Sequence, residues 1–291
     1  MANASKLVLN LDPDFKPFDK VCQEIEHTSF FFNGGEPHIR IKDFYHHSSV
    51  IVTTRINNMD SFGLLLVAVD ALKRLNGIDS IELFIPYFPG ARQDRVANMG
   101  EALTVKVYAD IINSMNLDGV YIMDPHSDVT PALINNCWVT DNHKFVLEVL
   151  RRLYPKKDAP TPILISPDAG AHKKVIDVAK FLTTYNMVEI VKCSKIRNTG
   201  TGELSGFQVH ADDLGQKDCI IVDDICDGGG TFIGLAEKLK AKGSGNIYLA
   251  VTHGIFSKGF SSFHNFERIF TTDSIRSKHD PDLVEIININ R

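Results

Sequence analysis

The stretch that most constrains the fold of this chain runs from Cys219 to Thr231 and reads C-I-I-V-D-D-I-C-D-G-G-G-T. Its β-branched start predicts a buried strand that ends in two carboxylates, Asp223 and Asp224. Apolar residues recur at helical spacing after Thr231, so the glycines would lie at a helix N-terminus, where free backbone N–H groups favour anions. The pattern indicates a sugar-phosphate site whose acidic pair suits sugar hydroxyls or Mg²⁺. For such a loop alone, a tight turn with capping aspartates is the commoner explanation.

Strands and helices alternate along most of the chain. Residues 61–75 predict the clearest helix, and residues 80–87 predict the strand that follows it. After a polar, Pro-rich segment at 154–162 the alternation resumes and leads into the strand before Asp223. This order predicts an α/β fold with parallel sheets wrapped by helices. We expect two similar domains, residues 1–145 and residues 146–291.

Three shorter segments carry predictions of their own. Residues 19–26 have a weak helical pattern. Residues 29–41 predict a strand pair around the turn Asn33-Gly34-Gly35. Residues 191–206 lead from basic residues into a Gly-, Thr- and Ser-rich stretch, which predicts either a mobile lid over a phosphate or a long exposed loop.

Composition narrows the possible partners. The formal net charge of -5 argues against nucleic acid, because binding to its phosphate backbone normally needs a basic surface. The cysteines are scattered, which predicts neither a zinc site nor a disulfide framework. The sequence shows no signal-peptide pattern and no apolar run of bilayer length, so we expect a cytoplasmic protein without a membrane partner.

Further polar clusters follow predicted strands, where α/β sheets collect ligands. Arg92 and Arg95 stand in one loop, which suits bidentate contacts to a polyphosphate, although an isolated R-x-x-R is more often a solvated loop. His126 lies among carboxylates and could hold a divalent metal, although a single histidine is more often only hydrogen-bonded. Asp168 again puts a carboxylate at a strand end.

The order of these clusters carries more information than any one of them. The segments I-P-Y-F-P-G-A-R-Q-D-R, M-D-P-H-S-D, I-S-P-D-A-G, I-I-V-D-D-I-C-D-G-G-G-T and V-T-H-G-I-F-S resemble the successive motifs of ribose-phosphate pyrophosphokinases, the phosphoribosyl diphosphate (PRPP) synthetases. The resemblance spans roughly residues 32–275. It implies two phosphoribosyltransferase-type, doubly wound α/β domains with mainly parallel sheets.

The resemblance also implies an activity, a cofactor and partners. It predicts Mg²⁺-dependent transfer of the β,γ-diphosphate of ATP to the anomeric hydroxyl of ribose 5-phosphate, giving PRPP and AMP, in a homo-oligomer (dimer or hexamer). Implied catalytic residues are Lys192, Arg197 and Lys195, with Lys192 and Lys195 as rivals for one role. Implied ATP-binding residues are Phe32, Glu36, Arg92, Gln93 and Asp94. Implied ribose-phosphate ligands are Asp223, Asp224, Asp227, Gly228, Gly229, Gly230 and Thr231, and implied metal ligands are His126 and Asp168.

Departures from the family pattern bear on the substrate. Gly228 stands where the family usually has a threonine, so a hydroxyl that would bind a phosphate monoester is missing, and we expect open space there. Gly34 replaces an aspartate that would accept from the adenine amino group. The residues therefore leave two acceptors open, ribose 5-phosphate or a ribose with a substituted 5-phosphate such as ADP-ribose, which would place the enzyme in nucleotide biosynthesis or NAD metabolism.

Two interpretations from other functional classes also remain. One is a non-catalytic regulatory homologue, against which the retained acidic and basic residues argue. The other is a phosphoribosyltransferase that consumes PRPP. It is disfavoured, because enzymes of that class need only one domain and lack the A-R-Q-D-R loop.

Overall fold

A computed structural model describes residues 6–18, 20–42, 48–156, 160–183, 189–197 and 204–290. The chain forms two compact units, one of Met1–Thr140 with Asn288–Arg291 and one of Asp141–Ile287. The end of the chain thus belongs to the first unit, in contrast to the predicted division at residue 145. The reason is the burial of Ile289 in an apolar cluster with Val8 and Phe15.

The first unit is built on a parallel sheet. Its strands are β1 (Lys6–Asn10), β2 (Gln23–Glu24), β3 (His27–Phe31), β4 (Pro37–Ile41), β5 (Ser48–Thr53), β6 (Ile78–Phe84), β7 (Gly119–Met123) and β8 (Cys137–Thr140), and its helices are α1 (Met59–Lys73), α2 (Thr104–Ser114) and α3 (Val129–Leu133). Six strands lie in the order β2-β1-β5-β6-β7-β8, all neighbours being parallel. Strands β3 and β4 form a separate antiparallel hairpin, as predicted for residues 29–41.

Helix α1 begins two residues earlier than its apolar pattern predicts, because Asn58 caps it. The Asn58 side chain accepts a hydrogen bond from Ser61 N at 2.9 Å, and the Asn58 N–H donates to the Ser61 hydroxyl oxygen. This reciprocal pair satisfies backbone donors that the first helical turn leaves free. Alternate residues of β1 then face different apolar clusters, Leu7 and Leu9 towards α1 and Val8 towards the opposite side.

The second unit contains a seven-stranded sheet. Its strands are β9 (Ile163–Ser166), β10 (Glu189–Arg197), β11 (Leu204–Val209), β12 (Cys219–Cys226), β13 (Ile247–Gly254), β14 (Arg268–Thr272) and β15 (Val284–Ile287), and its helices are α4 (His143–Leu153), α5 (His172–Thr183) and α6 (Gly230–Ala241). The order is β11-β10-β9-β12-β13-β14-β15, and only the β10–β11 pair is antiparallel.

Strand β12 lies in the middle of this sheet and has a helix layer on each face. Cys219 and Ile221 pack in the cluster that includes α6, whereas Ile220 and Val222 pack in the cluster that includes α4 and α5. Because side chains alternate along a strand, a run that is apolar at every position is what a strand covered on both faces requires. The α/β fold with mainly parallel sheets is confirmed.

One local prediction was wrong, and another changes at its ends. The helical pattern at residues 19–26 does not form a helix among the described residues there; Gln23 and Glu24 pair with β1, and the buried Ile25 donates to Val8 O. The segment 191–206 is not a loop at its two ends, which are strands β10 and β11, because Cys193 and Phe207 enter the core. Residues 198–203 lie outside the described residues.

No helix in the described ranges is both long and apolar enough to cross a lipid bilayer.

Candidate active site

The acidic pair lies inside β12 rather than at its end. The strand was predicted to end in the two carboxylates, but its pairing with β13 continues through Ile225 and Cys226, opposite His253 and Gly254. Asp224 is buried and Asp223 is partly buried. The two carboxylates are therefore held on a central, regular strand.

Burial and charge repulsion act together on Asp223. Desolvation raises the pKa of Asp223 well above its usual range, the neighbouring Asp224 raises it further, and Asp168 contributes in the same direction. Like charges held close together in a poorly solvated place disfavour ionisation. These three carboxyl groups, Asp168, Asp223 and Asp224, are called the acidic cluster below.

Two lysines approach the acidic cluster. Lys195 Nζ donates to Asp168 Oδ2 at 2.5 Å, and Lys174 Nζ of α5 lies 3.9 Å from Asp224 Oδ1. Partial burial opposes ionisation of Asp168, but the hydrogen bonds from Lys195 and from the Ala171 N–H outweigh it, so the pKa of Asp168 is lowered. The ammonium groups of two lysines therefore lie beside the acidic cluster.

Lys192 is placed differently from Lys195. It pairs with Ser166 in the β10–β9 register and is exposed. Burial lowers the pKa of the His172 imidazole, and the nearby charge of Lys192 lowers it further. Three positions apart on a strand, Lys192 and Lys195 point to opposite faces. The side chain of Arg197 lies outside the described residues.

The glycine-rich loop connects β12 to α6, as predicted. Helix α6 begins at Gly230, and its N-cap Gly229 has φ 76°. A side chain at Gly229 would overlap the ring of Phe263, which packs below the loop. The left-handed backbone and the close ring both require glycine at this position, and the first N–H groups of α6 have no partner inside the helix.

Substituting Gly229 by alanine is expected to destabilise the protein. The left-handed conformation costs an L-residue about 1–2 kcal/mol, and overpacking against Phe263 adds roughly 1–3 kcal/mol. Urea unfolding should show a lowered free energy of unfolding for Gly229→Ala. Gly230→Ala is the matched control, since a Cβ at Gly230 meets nothing within 4 Å; equal stability of the two variants would contradict this account.

The space beside Gly228 is not open, contrary to expectation. A Cβ at Gly228 would lie 3.2 Å from Cδ and 3.3 Å from Cε of Lys258. The loop after β13 brings Lys258 there, because Ser257 Oγ donates to Asp227 Oδ1 at 2.5 Å and Ser257 N donates to Asp227 O at 3.2 Å. The side-chain stem of Lys258, from a neighbouring loop, thus fills the space beside Gly228.

In the first unit, two predicted clusters lie at the carboxyl ends of adjacent parallel strands. Arg92, Gln93 and Asp94 follow β6, where Gln93 N donates to Gly90 O at 2.9 Å, and both Arg92 and Gln93 are exposed. His126 follows β7 and is exposed. The register of β6 with β7 brings these loops to the same edge of the sheet.

Phe32 and Glu36 close the β3–β4 hairpin. Phe32 N donates to Glu36 O at 2.9 Å, and the Glu36 carboxylate lies beside Gly34. Phe30 and Phe32 are both exposed, with ring centroids 4.9 Å apart in an edge-to-face arrangement. An aromatic surface of this kind can stack on a planar base.

Comparisons with known proteins agree with the motif order. Residues 21–115 match the family model of the N-terminal domain of ribose phosphate pyrophosphokinase, and residues 180–276 match that of the phosphoribosyl synthetase-associated domain. The chain is 34% identical to the ribose-phosphate pyrophosphokinase of Haemophilus ducreyi, over 78% of this chain and 70% of that protein. The chain belongs to the ribose-phosphate pyrophosphokinase family.

Other ribose-phosphate pyrophosphokinases are similar over more of the chain. The protein of that name from Shewanella oneidensis is 30% identical over 89% of this chain and 81% of its own length. The crystal structure of phosphoribosylpyrophosphate synthetase from Mycobacterium smegmatis superposes with a TM-score of 0.79, covering 98% of this chain and 95% of that one, at 20% identity. The fold is therefore shared over almost the whole chain.

For a ribose-phosphate pyrophosphokinase, the donor set of the acidic cluster suits Mg²⁺ without forming a complete cage. Among the described residues, no three His, Cys, Asp or Glu side chains are grouped closely enough to hold a metal. Mg²⁺ characteristically binds one or two carboxylates and completes its shell with water and substrate phosphate. The carboxylate of Asp168, now bonded to Lys195, fits that mode of binding.

Sequence reasoning missed Ser257 and Lys258 as neighbours of the glycine-rich loop. The signal was the V-T-H-G-I-F-S motif, which ends at Ser257. Only the parallel pairing of β12 with β13 shows that the end of this motif lies against Asp227 and Gly228.

Proposed function

We propose that the protein transfers the β,γ-diphosphate of ATP to the anomeric hydroxyl of ribose 5-phosphate, giving PRPP and AMP. The observation that carries the proposal is the direct succession, on β12, of an acidic pair and a helix-capping glycine loop. One element thereby presents acceptors for sugar hydroxyls next to N–H donors for a phosphate. Family membership supplies the reaction class.

The acceptor would be held by the second unit. Asp223 and Asp224 accept hydrogen bonds from the ribose 2- and 3-hydroxyls, and the backbone N–H groups from Asp227 to Thr231 bind the 5-phosphate. Charge-assisted hydrogen bonds of this kind are short and directional. They orient the anomeric hydroxyl while leaving it free to react.

The transfer needs charge neutralisation more than covalent help. The anomeric oxygen attacks the β-phosphorus, the bond between that phosphorus and the α,β-bridging oxygen breaks, AMP leaves with that oxygen, and the hydroxyl proton passes to solvent. Lys192, with Arg197 as its companion, stabilises the charge that develops on the transferred group, and Lys195 is the rival candidate for the role of Lys192. Arg92, Gln93 and Asp94 bind ATP.

Asp168 and His126 are each proposed as Mg²⁺ ligands. When bound, the ion supplies electrostatic stabilisation of the phosphate oxygens. Phe32 and Glu36 are proposed to contact adenine, with the hairpin lent to a neighbouring subunit of a homo-oligomer. The exposed rings of Phe30 and Phe32 support this role.

A second acceptor is favoured by one observation. Gly228 offers no hydroxyl to a phosphate monoester, and a lysine lies beside it. A ribose whose 5-phosphate carries a further group, such as ADP-ribose, has one fewer terminal oxygen to satisfy and a second phosphate for the lysine to meet.

The test uses the purified full chain with Mg²⁺ and ATP, plus either ribose 5-phosphate or ADP-ribose. We expect AMP in equal amount to a product whose mass equals the acceptor with an added diphosphate. The ratio of the two kcat/KM values identifies the acceptor. Absence of AMP with both acceptors would overturn the proposed function.

A further inference from the structure

Lys258 is the cationic side chain that lies on the glycine loop of the acceptor site. A Cβ at Gly228 would be 3.2, 3.3 and 3.6 Å from its Cδ, Cε and Cγ, so the apolar stem runs along the loop backbone. The residue is nevertheless exposed. Lysines commonly bury their stem in this way while the ammonium group stays in water.

The backbone that carries Lys258 is bonded to the loop itself. Ile255 N and Phe256 N both donate to Cys226 O, at 2.8 and 3.2 Å, and Ser257 bonds to Asp227 through its backbone and its hydroxyl. Phe256 has φ 48°, a conformation that a bulky residue adopts only when its surroundings impose it. The backbone conformation of the turn that carries Lys258 is therefore fixed by these contacts.

Aromatic packing below the turn holds it in place. The ring of Phe256 meets that of Phe263 edge-to-face at 6.1 Å and that of Phe260 at 4.9 Å. Phe263 is also the ring that lies against Gly229. The turn that carries Lys258 and the glycine loop thus pack against the same ring, that of Phe263. The backbone of the turn therefore keeps its position relative to the loop.

The loop and the lysine offer different kinds of donor. Backbone N–H groups at the start of α6 have fixed positions and suit a single phosphate. The stem of Lys258 passes beside Gly228, and the residue is exposed. A flexible ammonium group next to the loop suits an anionic group that extends outward from a first phosphate.

We infer that Lys258 binds the anion at the 5-position of the acceptor and favours acceptors whose 5-phosphate is joined to a second phosphate. The inference rests on the proposed function, because it concerns the same acceptor site. Lys258 replaces the side chain that Gly228 lacks with a full positive charge. It is thereby a specificity-determining residue for the choice of acceptor.

The test measures binding of ADP-ribose and of ribose 5-phosphate, each alone, by isothermal titration calorimetry. Lys258→Met keeps an apolar stem on Gly228 and removes the charge, and we expect it to weaken ADP-ribose binding roughly 10- to 100-fold, the range for loss of one charged hydrogen bond. Ribose 5-phosphate binding should weaken less. Lys258→Arg should retain ADP-ribose binding.

Lys238→Met is the matched control, since Lys238 is exposed near the other end of α6 and should leave both affinities unchanged. Equal affinities of Lys258→Met and the wild type for ADP-ribose, or an equal loss for both acceptors, would overturn the inference. The proposed function fails separately, if the wild type forms no AMP with either acceptor. An active wild type with an unchanged Lys258→Met variant would contradict only the role of Lys258.

Discussion

Replacing Lys192 by alanine is expected to lower kcat by about 10²- to 10³-fold, the usual loss when one preorganised electrostatic contact to a transition state is removed. Lys192 is exposed on β10, and within the described residues it forms no ion pair, so its charge is available to a phosphate. Because it is exposed, its removal should leave the melting temperature near that of the wild type. Steady-state kinetics and a thermal melt measure both effects.

Lys195→Ala is the informative comparison for Lys192→Ala. The Lys195 ammonium already bonds to Asp168 at 2.5 Å, so its loss should reduce kcat less and should change the Mg²⁺ concentration that gives half-maximal rate. Kinetics of the two variants over a range of Mg²⁺ concentrations separate these roles. Near-normal turnover of Lys192→Ala together with an inactive Lys195→Ala would contradict the assignment and give the catalytic role to Lys195.

Replacing Asp223 by asparagine is expected to lower kcat/KM by about 10²-fold and to make the folded protein more stable. The kinetic loss follows from removing one of the two carboxyl groups that we propose bind the ribose hydroxyls. The gain in stability follows from burial and from Asp224, which both raise the pKa of Asp223. An ionised carboxylate at this position costs free energy that asparagine avoids.

The pH dependence of that gain has a defined sign. The folded protein holds the Asp223 proton more tightly than the unfolded chain, in which the pKa is about 3.9. The stabilising effect of the proton is complete below the unfolded value and is lost as the pH rises through the folded value. The urea midpoint of Asp223→Asn should therefore exceed that of the wild type more at pH 8 than at pH 4.

Asp177→Asn is the control for this prediction. Asp177 is an exposed-face residue of α5 whose pKa is lowered, chiefly by a hydrogen bond from Lys180. Its replacement should leave kcat/KM unchanged and should not stabilise the protein. A urea midpoint of Asp223→Asn at or below the wild-type value at pH 8 would contradict the prediction. It would mean that the ionised carboxylate of Asp223 does not destabilise the folded protein.

The parts of the site that depend on local pattern could be predicted from the sequence. The glycines before α6, the helix itself and the preceding apolar strand all follow from neighbouring residues. The parts that depend on strand register could not. Lys258 lies 30 positions beyond Gly228 along the chain, and only the pairing of Ile225 with His253 and of Cys226 with Gly254 brings the two together.

Composition misled at β10 and β11 for a related reason. The Gly-, Thr- and Ser-rich sequence between residues 198 and 206 is typical of a loop. It therefore led to a loop prediction that extended over residues of the strands on both sides. Those strands form because Cys193 pairs opposite Val209 and Lys195 opposite Phe207, residues that are far apart along the chain. The helical prediction for residues 19–26 was wrong for a similar reason. A two-residue strand is defined by the strand that it pairs with and not by a periodic pattern in its own sequence.

The central claim is that an intact diphosphate moves from ATP to the anomeric oxygen of a ribose phosphate. ATP labelled at the β-phosphorus tests it most directly, with the labelled products separated after a single incubation with Mg²⁺ and each acceptor. The account predicts that the label appears in a ribose-linked diphosphate and that AMP is released without it, in equal amount. Label recovered in ADP or in free diphosphate, with none on the sugar, would contradict the account.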